Sequence, residues 1–366
     1  MSRYDGLIIP RSYSDYINKT DAATLSQALQ LPNVMDSTPT ENSNRPVMSG
    51  GIYTALAGKQ PTLEFDTIPT KGSNNPVSSG GLYTALGEMF IHNIPRLVPK
   101  DITAYITDGT FWKRLNGTNG YALFEDIYVG DYFEMSRAIT CPNSNNGDTG
   151  TKWCTIADID AFMNRGDLDI SYHHAIIVPG KGNDVSEKQH FGRARMNLTN
   201  DTTGAYESSK MNTTTIGGVV SAGSTAADAT INQQLYAEFG SHLKTTRELV
   251  SSTINATGYN RFGSATGCAS DWEWISAQSI LMSEIEVYGS TVWSSSGYDT
   301  GTACKPLALF QQCGVARNNR TAVYWLKDVA SANQFCISYS DGGSGYDFAS
   351  EGIAGTCVRP RFILAA

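Results

Sequence analysis

Along residues 20–90, apolar side chains recur every three or four positions in short bursts. From Asp101 onward they alternate in briefer runs broken by Gly, Asn and Asp. In "KTDAATLSQALQL", Leu25, Ala28 and Leu29 share one helical face behind Thr20 or Asp21 as cap. Ile52, Ala55 and Leu56 repeat that spacing after Ser49, as do Leu82, Ala85 and Leu86 after Ser79. Gly58 ends the first of these two helices, and the second continues through Met89 and Phe90. Pro46 and Pro76 hold the incoming chain extended. Helices of two or three turns are marginal alone in water. No long amphipathic partner within residues 1–95 covers these stripes. An identical stripe from another copy, around a three-fold or two-fold axis, is the simplest cover. The expectation is therefore a slender oligomeric stalk; its alternative is a flexible linker with incidental helices.

The later pattern predicts other elements. "ITAYITDGTFWKRL" reads as a hairpin around Asp108-Gly109, and "YALFEDIYVGDYFEM" as two strands joined at Gly130-Asp131. In "TIADIDAFMNRG", Thr155 caps a helix, Ile156, Ile159 and Phe162 or Met163 line one face, and Gly166 stops it. Ile231, Leu235 and Phe239 mark a second helix. "ILMSEIEVYGSTVW" reads as a strand hairpin or meander built around Gly289. Near the C-terminus Phe335, Ile337 and Tyr339 alternate with Gln334, Cys336, Ser338 and Ser340, as in a half-buried strand. Asp341-Gly342-Gly343 makes a turn, Tyr346–Phe348 the return, and Val358, Phe362 and Leu364 a closing strand. Short strands mixed with a couple of helices, without a βαβ rhythm, indicate an α+β fold.

Composition narrows the function. The chain has 366 residues, 17% of them charged, and a formal net charge of −8. It shows no Lys/Arg cluster, so a phosphate backbone is not the expected ligand and no nucleic-acid partner is predicted. No apolar run approaches the ~18 residues of a membrane span, so no membrane insertion is expected. The four-residue apolar patch in "MSRYDGLIIPRSYSDY" is too short for a signal-peptide core, so synthesis and folding in a cytoplasm are expected. The seven cysteines are scattered without metal spacing, which favours buried thiols over zinc or a disulfide framework.

Residues 36–56 and 66–86 match at 14 of 21 positions. Their shared phrase, Pro-Thr-x-x-Ser-Asn-x-Pro-Val-x-Ser-Gly-Gly-x-Tyr-x-Ala-Leu, resembles the repeated neck of bacteriophage tail fibres and receptor-binding proteins. That resemblance implies a homotrimeric stalk over 21–97 and a tail- or baseplate-anchoring segment over 1–20, for which Asp5–Asp21 is the candidate stretch. Over roughly 120–364 the chain resembles the C-type-lectin-like domain of phage receptor-binding proteins. It is similar there to the variable proteins of diversity-generating retroelements, and more distantly to the formylglycine-generating enzyme fold. The residues that carry this are Tyr324-Trp325-Leu326, Ser340-Asp341-Gly342, Ala349-Ser350 and Val358-Arg359-Pro360-x-Phe362, with Gly240–Leu243, Trp293 and Ser296–Asp299. The implied architecture is a C-type-lectin-like head over 98–366 that binds a host-surface glycan or protein, on a virion tail, without a cofactor. The calcium motifs of animal lectins are absent, and no loop gathers carboxylates for a calcium cage, so no metal is expected.

The candidate receptor contacts are Lys327, Asp328, Ser331, Asn333, Gln334, Ser338, Ser340, Asp341, Tyr346, Asp347, Phe348 and Glu351. They are polar or aromatic residue types of the kind retroelement mutagenesis inserts. One ring of Tyr346 and Phe348 is expected to pack inward. Arg359 is expected to be buried against a carboxylate. Cys336 and Cys357 fall on neighbouring predicted strands, where core packing is the favoured role. Two other readings stay open: a tail-associated polysaccharide depolymerase and a structural baseplate component. For the depolymerase, paired carboxylates are the requirement. Glu284 with Glu286 on a strand, or Asp158 with Asp160 on a helix, supply pairs, but a solvated face or salt bridges suit them better. His173, His174 and His242 show no carboxylate or nucleophile partner in the sequence, and no enzyme is expected.

Overall fold

The closing strand organises the larger part of the molecule. In the computed structural model, residues 36–45, 47, 49–57, 65–66, 73–79, 92–96, 98–142, 148–163, 165–167, 170–259, 266–294, 305–317, 323–351 and 356–366 are described. The chain divides into two units, Met1–Ala85 and Leu86–Ala366. It is mixed α/β, mostly sheet with few helices, and includes a curled half-barrel sheet compatible with a lectin-like head.

In the larger unit the strands are β1 (Tyr132–Glu134), β2 (Trp153–Ile159), β3 (Ala175–Pro179), β4 (Leu243–Lys244), β5 (Thr246–Tyr259), β6 (Thr266–Ala277) and β7 (Ser279–Leu281). They continue as β8 (Val323–Ser331), β9 (Gln334–Ser338), β10 (Ser344–Phe348), β11 (Thr356–Cys357) and β12 (Pro360–Leu364). One sheet runs β1-β2-β3-β12-β4, with β7 also paired to β12. A second runs β10-β9-β8-β11, and β5 with β6 forms a separate ribbon. Phe362, Ile363 and Leu364 of β12 are buried, opposite Ile177, Ile176 and Ala175 of β3.

Four sequence expectations are corrected here. Residues 103–116 form two short helices, α2 (Thr103–Thr107) and α3 (Thr110–Asn116), rather than a hairpin. Gly109 separates them at φ 74°, Asp108 Oδ1 accepts from Thr110 N at 2.8 Å, and Phe111 and Leu115 are buried at i, i+4. Thr155–Ile159 is strand, paired along its edges with β1 and β3 and buried on both faces; a bulge between Ile156 and Asp158 gives its apolar spacing a helical look. The Glu284 region is a helix, α5 (Glu284–Tyr288), after β7. Ser283 and Glu286 form a capping box at its start, and Gly289 ends it at φ 83°. The turn at Gly130 is present at φ 90°, and β1 follows it, but residues 121–129 form turns instead of a strand.

The helix over 231–239 is as expected. It is α4 (Ile231–Phe239), with Ile231, Leu235 and Phe239 buried and a capping box between Thr230 and Gln233. Among the described residues no helix is long and apolar enough to cross a membrane.

In the smaller unit the described loop residues of the two repeats make matching contacts. Asp36 bridges Val47 and Asp66 bridges Val77, both in parallel. Arg45 N donates to Ser43 Oγ and Asn75 N donates to Ser73 Oγ. Helix α1 (Ser49–Ala57) follows the first loop. Its Gly51 lies against Ser37, whose carbonyl oxygen would sit 2.0 Å from an added Cβ. No helical repeat stalk is present among the described residues: Ile52, Tyr53 and Leu56 are exposed and cover nothing. The expected helix around Leu25, the anchor over 1–20 and the second-copy residues Leu82, Ala85, Leu86, Met89 and Phe90 lie outside the described residues. Pro46, Gly58, Ser296–Asp299 and Cys304 also lie outside them.

Candidate functional site

The edge of the second sheet is where the sequence-predicted contacts gather. In the β9–β10 hairpin, Ser344 faces Ser338, Tyr346 faces Cys336 and Phe348 faces Gln334. The alternate residues, Ile337, Phe335 and their β8 partners Trp325 and Val329, enter the core. The turn is as expected: Gly342 has φ 84°, Tyr339 N donates to Gly343 O, and Gly342 N donates to Tyr339 O. Gly345 is required under the Tyr339 ring, where an added Cβ would come within 2.4 Å.

The structure splits the twelve candidates. Lys327, Asp328, Ser331 and Ser338 are buried and offer a receptor no surface, because β8 and β9 are covered on both faces. Asp328 instead accepts a hydrogen bond from the backbone N–H of Glu284, holding the start of α5. Ser331 Oγ lies 2.9 Å from both Asn333 Oδ1 and Gln334 Oε1, bracing the β8–β9 turn. Asn333, Ser340, Asp341, Tyr346, Phe348 and Glu351 are exposed, with Gln334 and Asp347 half-buried. Tyr346 and Phe348 are 39% and 41% exposed on the same side of β10, so neither ring is packed fully inward.

What supports this edge was hidden in sequence. Glu284 is fully buried, yet its carboxylate accepts from five donors: Val292 N at 2.8 Å, Trp293 N at 3.1 Å, Ser294 N at 3.1 Å, Ser294 Oγ at 2.8 Å and Ser344 Oγ at 3.1 Å. It therefore pins the 292–294 loop to the start of β10. Trp293 then meets Tyr346 edge-on, with centroids 4.9 Å apart. Tyr288 OH donates to Gly343 O at 3.0 Å, tying α5 to the turn. The Ser-x-x-Glu cap beginning at Ser283 was a sequence signal for the helix alone.

The other chemistry-bearing groups are occupied. Glu286 is not on a solvated face: it pairs with Arg361, which also donates to both oxygens of Glu248 at 3.0 and 2.9 Å. Arg359 is buried as expected, but among the described residues no carboxylate pairs with it. It lies over the rings of Tyr324 and Phe310, near Gln189 Oε1 at 3.3 Å. Asp158 is on β2, not a helix; it is buried and accepts from Lys305 Nζ and Ala308 N, both at 3.0 Å.

His173 does have a carboxylate: its Nδ1–H donates to Asp160 Oδ2 at 2.7 Å, which raises the imidazole pKa. Among the described residues no Ser, Thr or Cys side chain bonds its other nitrogen. His242 stacks on Trp112 and bonds Ala365 O. Cys336 and Cys357 are not on adjacent strands, since β8 runs between β9 and β11.

Asp148, His190 and Cys357 offer ligand atoms within 4.8 Å of one another, the donor set that could hold a metal. Lys188 Nζ at 2.8 Å and Arg193 Nε at 3.0 Å already occupy Asp148, and Gly192 N donates to His190 Nδ1 at 3.0 Å. An ion there would have to displace two cations. A cavity of about 250 Å³ lies elsewhere, walled by Pro95, Pro99, Leu309 and Cys313 with Arg96 and Gln312.

Comparison of the chain with protein-family models, curated proteins and solved structures gives no match.

Proposed function

We propose that the chain is an adhesive tip protein of the phage tail-fibre type, whose C-terminal unit binds a bacterial surface through the β9–β10 edge. The observation that carries this reading is the Tyr346–Phe348 pair, left exposed on an edge strand whose floor a buried carboxylate holds rigid. Exposed aromatics on a fixed floor suit a contact surface, because little side-chain freedom is lost on binding. In this reading the unit is a C-type-lectin-like head, the repeats join three copies, and the first residues attach to a tail or baseplate. Three heads turn weak single contacts into avidity. The protein then acts on the virion tail, and retroelement diversification of the edge residues fits their types.

The test is adsorption of labelled full chain to host cells. The double change Tyr346→Ala/Phe348→Ala is expected to lower bound protein at least ten-fold while the chain stays folded, with a small fall in melting temperature from the lost Trp293–Tyr346 contact. Undiminished adsorption would sink the reading.

A further inference from the structure

We infer that the C-terminal unit holds a small monovalent anion of halide size between Arg359 and Arg317; this goes beyond the adhesive reading and does not depend on it. Arg359 is fully buried just before β12, and Arg317 beside it is half-buried. Arg359 Nη1 lies 3.4 Å from the Arg317 carbonyl oxygen. Arg317 Nη2 donates to Phe310 O at 2.8 Å, and Arg359 lies over the ring of that same residue. Arg359 also lies 5.1 Å from the centre of the Tyr324 ring, and Arg317 5.8 Å from that of Tyr288. Tyr324 faces Ser338 across β8 and β9, so the side chains form one cluster.

Arg359 Nε, Arg317 Nε, Tyr324 OH and Ser338 Oγ are buried there without a hydrogen-bond partner. An arginine Nε–H can only donate, and both hydroxyls can donate as well, so the cluster is rich in donors and short of acceptors. A buried guanidinium without a counter-charge costs far more than an unmet neutral group. Burial accordingly lowers the Arg359 pKa, against the pull of the uncharged Tyr324 hydroxyl. A water molecule could accept from two of these donors but would bring no charge. An anion serves the donors and neutralises the site together.

The neighbouring acids are committed elsewhere. Past Gln189, His190 feels Arg359 as a further positive charge, and Asp148 beside it already takes Lys188 and Arg193. Glu284 acts on Tyr288, but its carboxylate accepts from five donors of its own. Glu248 and Glu286 pair with Arg361. The four unmet atoms are shut off from water, whereas Arg317 and Tyr288 are half-buried and give the way in from the surface. Such an enclosure suits a halide, not a sugar acid.

The experiment follows the melting temperature of the full chain as sodium bromide replaces sodium gluconate at constant ionic strength. A saturable rise of about 2–4 °C is expected, since an ion that binds the folded state alone stabilises it by mass action. Arg317→Gln and Tyr324→Phe each remove one donor, the first at a half-buried position and the second with the ring kept. Each should raise the half-saturating bromide concentration about ten-fold. Crystals of the chain grown in bromide should show an anomalous peak beside Arg359 Nε. Bromide no more stabilising than gluconate, a response that both variants keep in full, or a site that shows no anomalous signal would each overturn the inference.

Discussion

Arg361 sits fully buried between Glu248 and Glu286, with its guanidinium over the Phe162 ring. Thr246 Oγ1 adds a hydrogen bond to Glu248 at 2.7 Å, so the acids are held from both sides. The two carboxylates hold the Arg361 proton more firmly than usual, despite its burial. Removing the cation strands two buried negative charges. Arg361→Met is therefore expected to cost about 3–5 kcal/mol in urea unfolding, with the midpoint displaced accordingly. His190 gives a different reading. Burial, against the opposing pull of Asp148, lowers its pKa to about 4, with Lys188, Arg193 and Arg359 acting in the same direction as burial. An unfolded imidazole titrates near 6.5, so the unfolded chain takes up the proton first as pH falls. This contribution is complete above about pH 6.5 and shrinks as pH drops toward 4. Unfolding at pH 5 should show a loss of roughly 2 kcal/mol from this group relative to pH 7. His190→Gln should flatten that part of the pH profile, and an unchanged profile would refute the assignment.

At the scale of elements, the edge hairpin depends on a helix that contributes none of the proposed contacts. The segment α5 is only five residues long, yet its capping box, Asp328 and the five donors to Glu284 lock it between β8 and β10. Glu284→Gln keeps the size but replaces one acceptor with an N–H₂ group facing backbone donors. We expect a loss of about 1–3 kcal/mol and a red-shifted Trp293 emission as the 292–294 loop loosens. Unaltered emission would show that the loop is held by other means. The same elements explain what sequence reading could resolve. The helix α4 was legible because its apolar spacing and its cap agree. The Asp341–Gly343 turn was legible because few residues tolerate its backbone. β2 was misread because a strand buried on both faces loses its alternation, and the 156/158 bulge restores a false helical period. The hairpin expected at Asp108-Gly109 failed because a left-handed glycine ends a helix as readily as it turns a strand.

At the scale of the molecule, the repeat unit leaves Ile52, Tyr53 and Leu56 uncovered at 44%, 76% and 61% exposure. Oligomerisation through this face belongs to the proposed function, and sedimentation tests it. The full chain should run as a trimer at micromolar concentration, and Ile52→Glu/Leu56→Glu should shift it toward single copies while the C-terminal unit keeps its melting temperature. A single-copy wild-type chain would remove the stalk from the proposal. By itself the sequence determined the tandem repeat, the helix over 231–239, and the turn and return of the last hairpin. Each is local: a cap, a period or a glycine acts within a few residues. Only the tertiary structure decided that four of the twelve candidate contacts are buried, that Arg361 rather than Arg359 faces the acids, and that Glu284 and Trp293 support Tyr346. Those facts depend on which strand lies beside which, and on burial of both faces of β8. Partners tens to more than a hundred residues apart along the chain leave no periodic trace in either stretch.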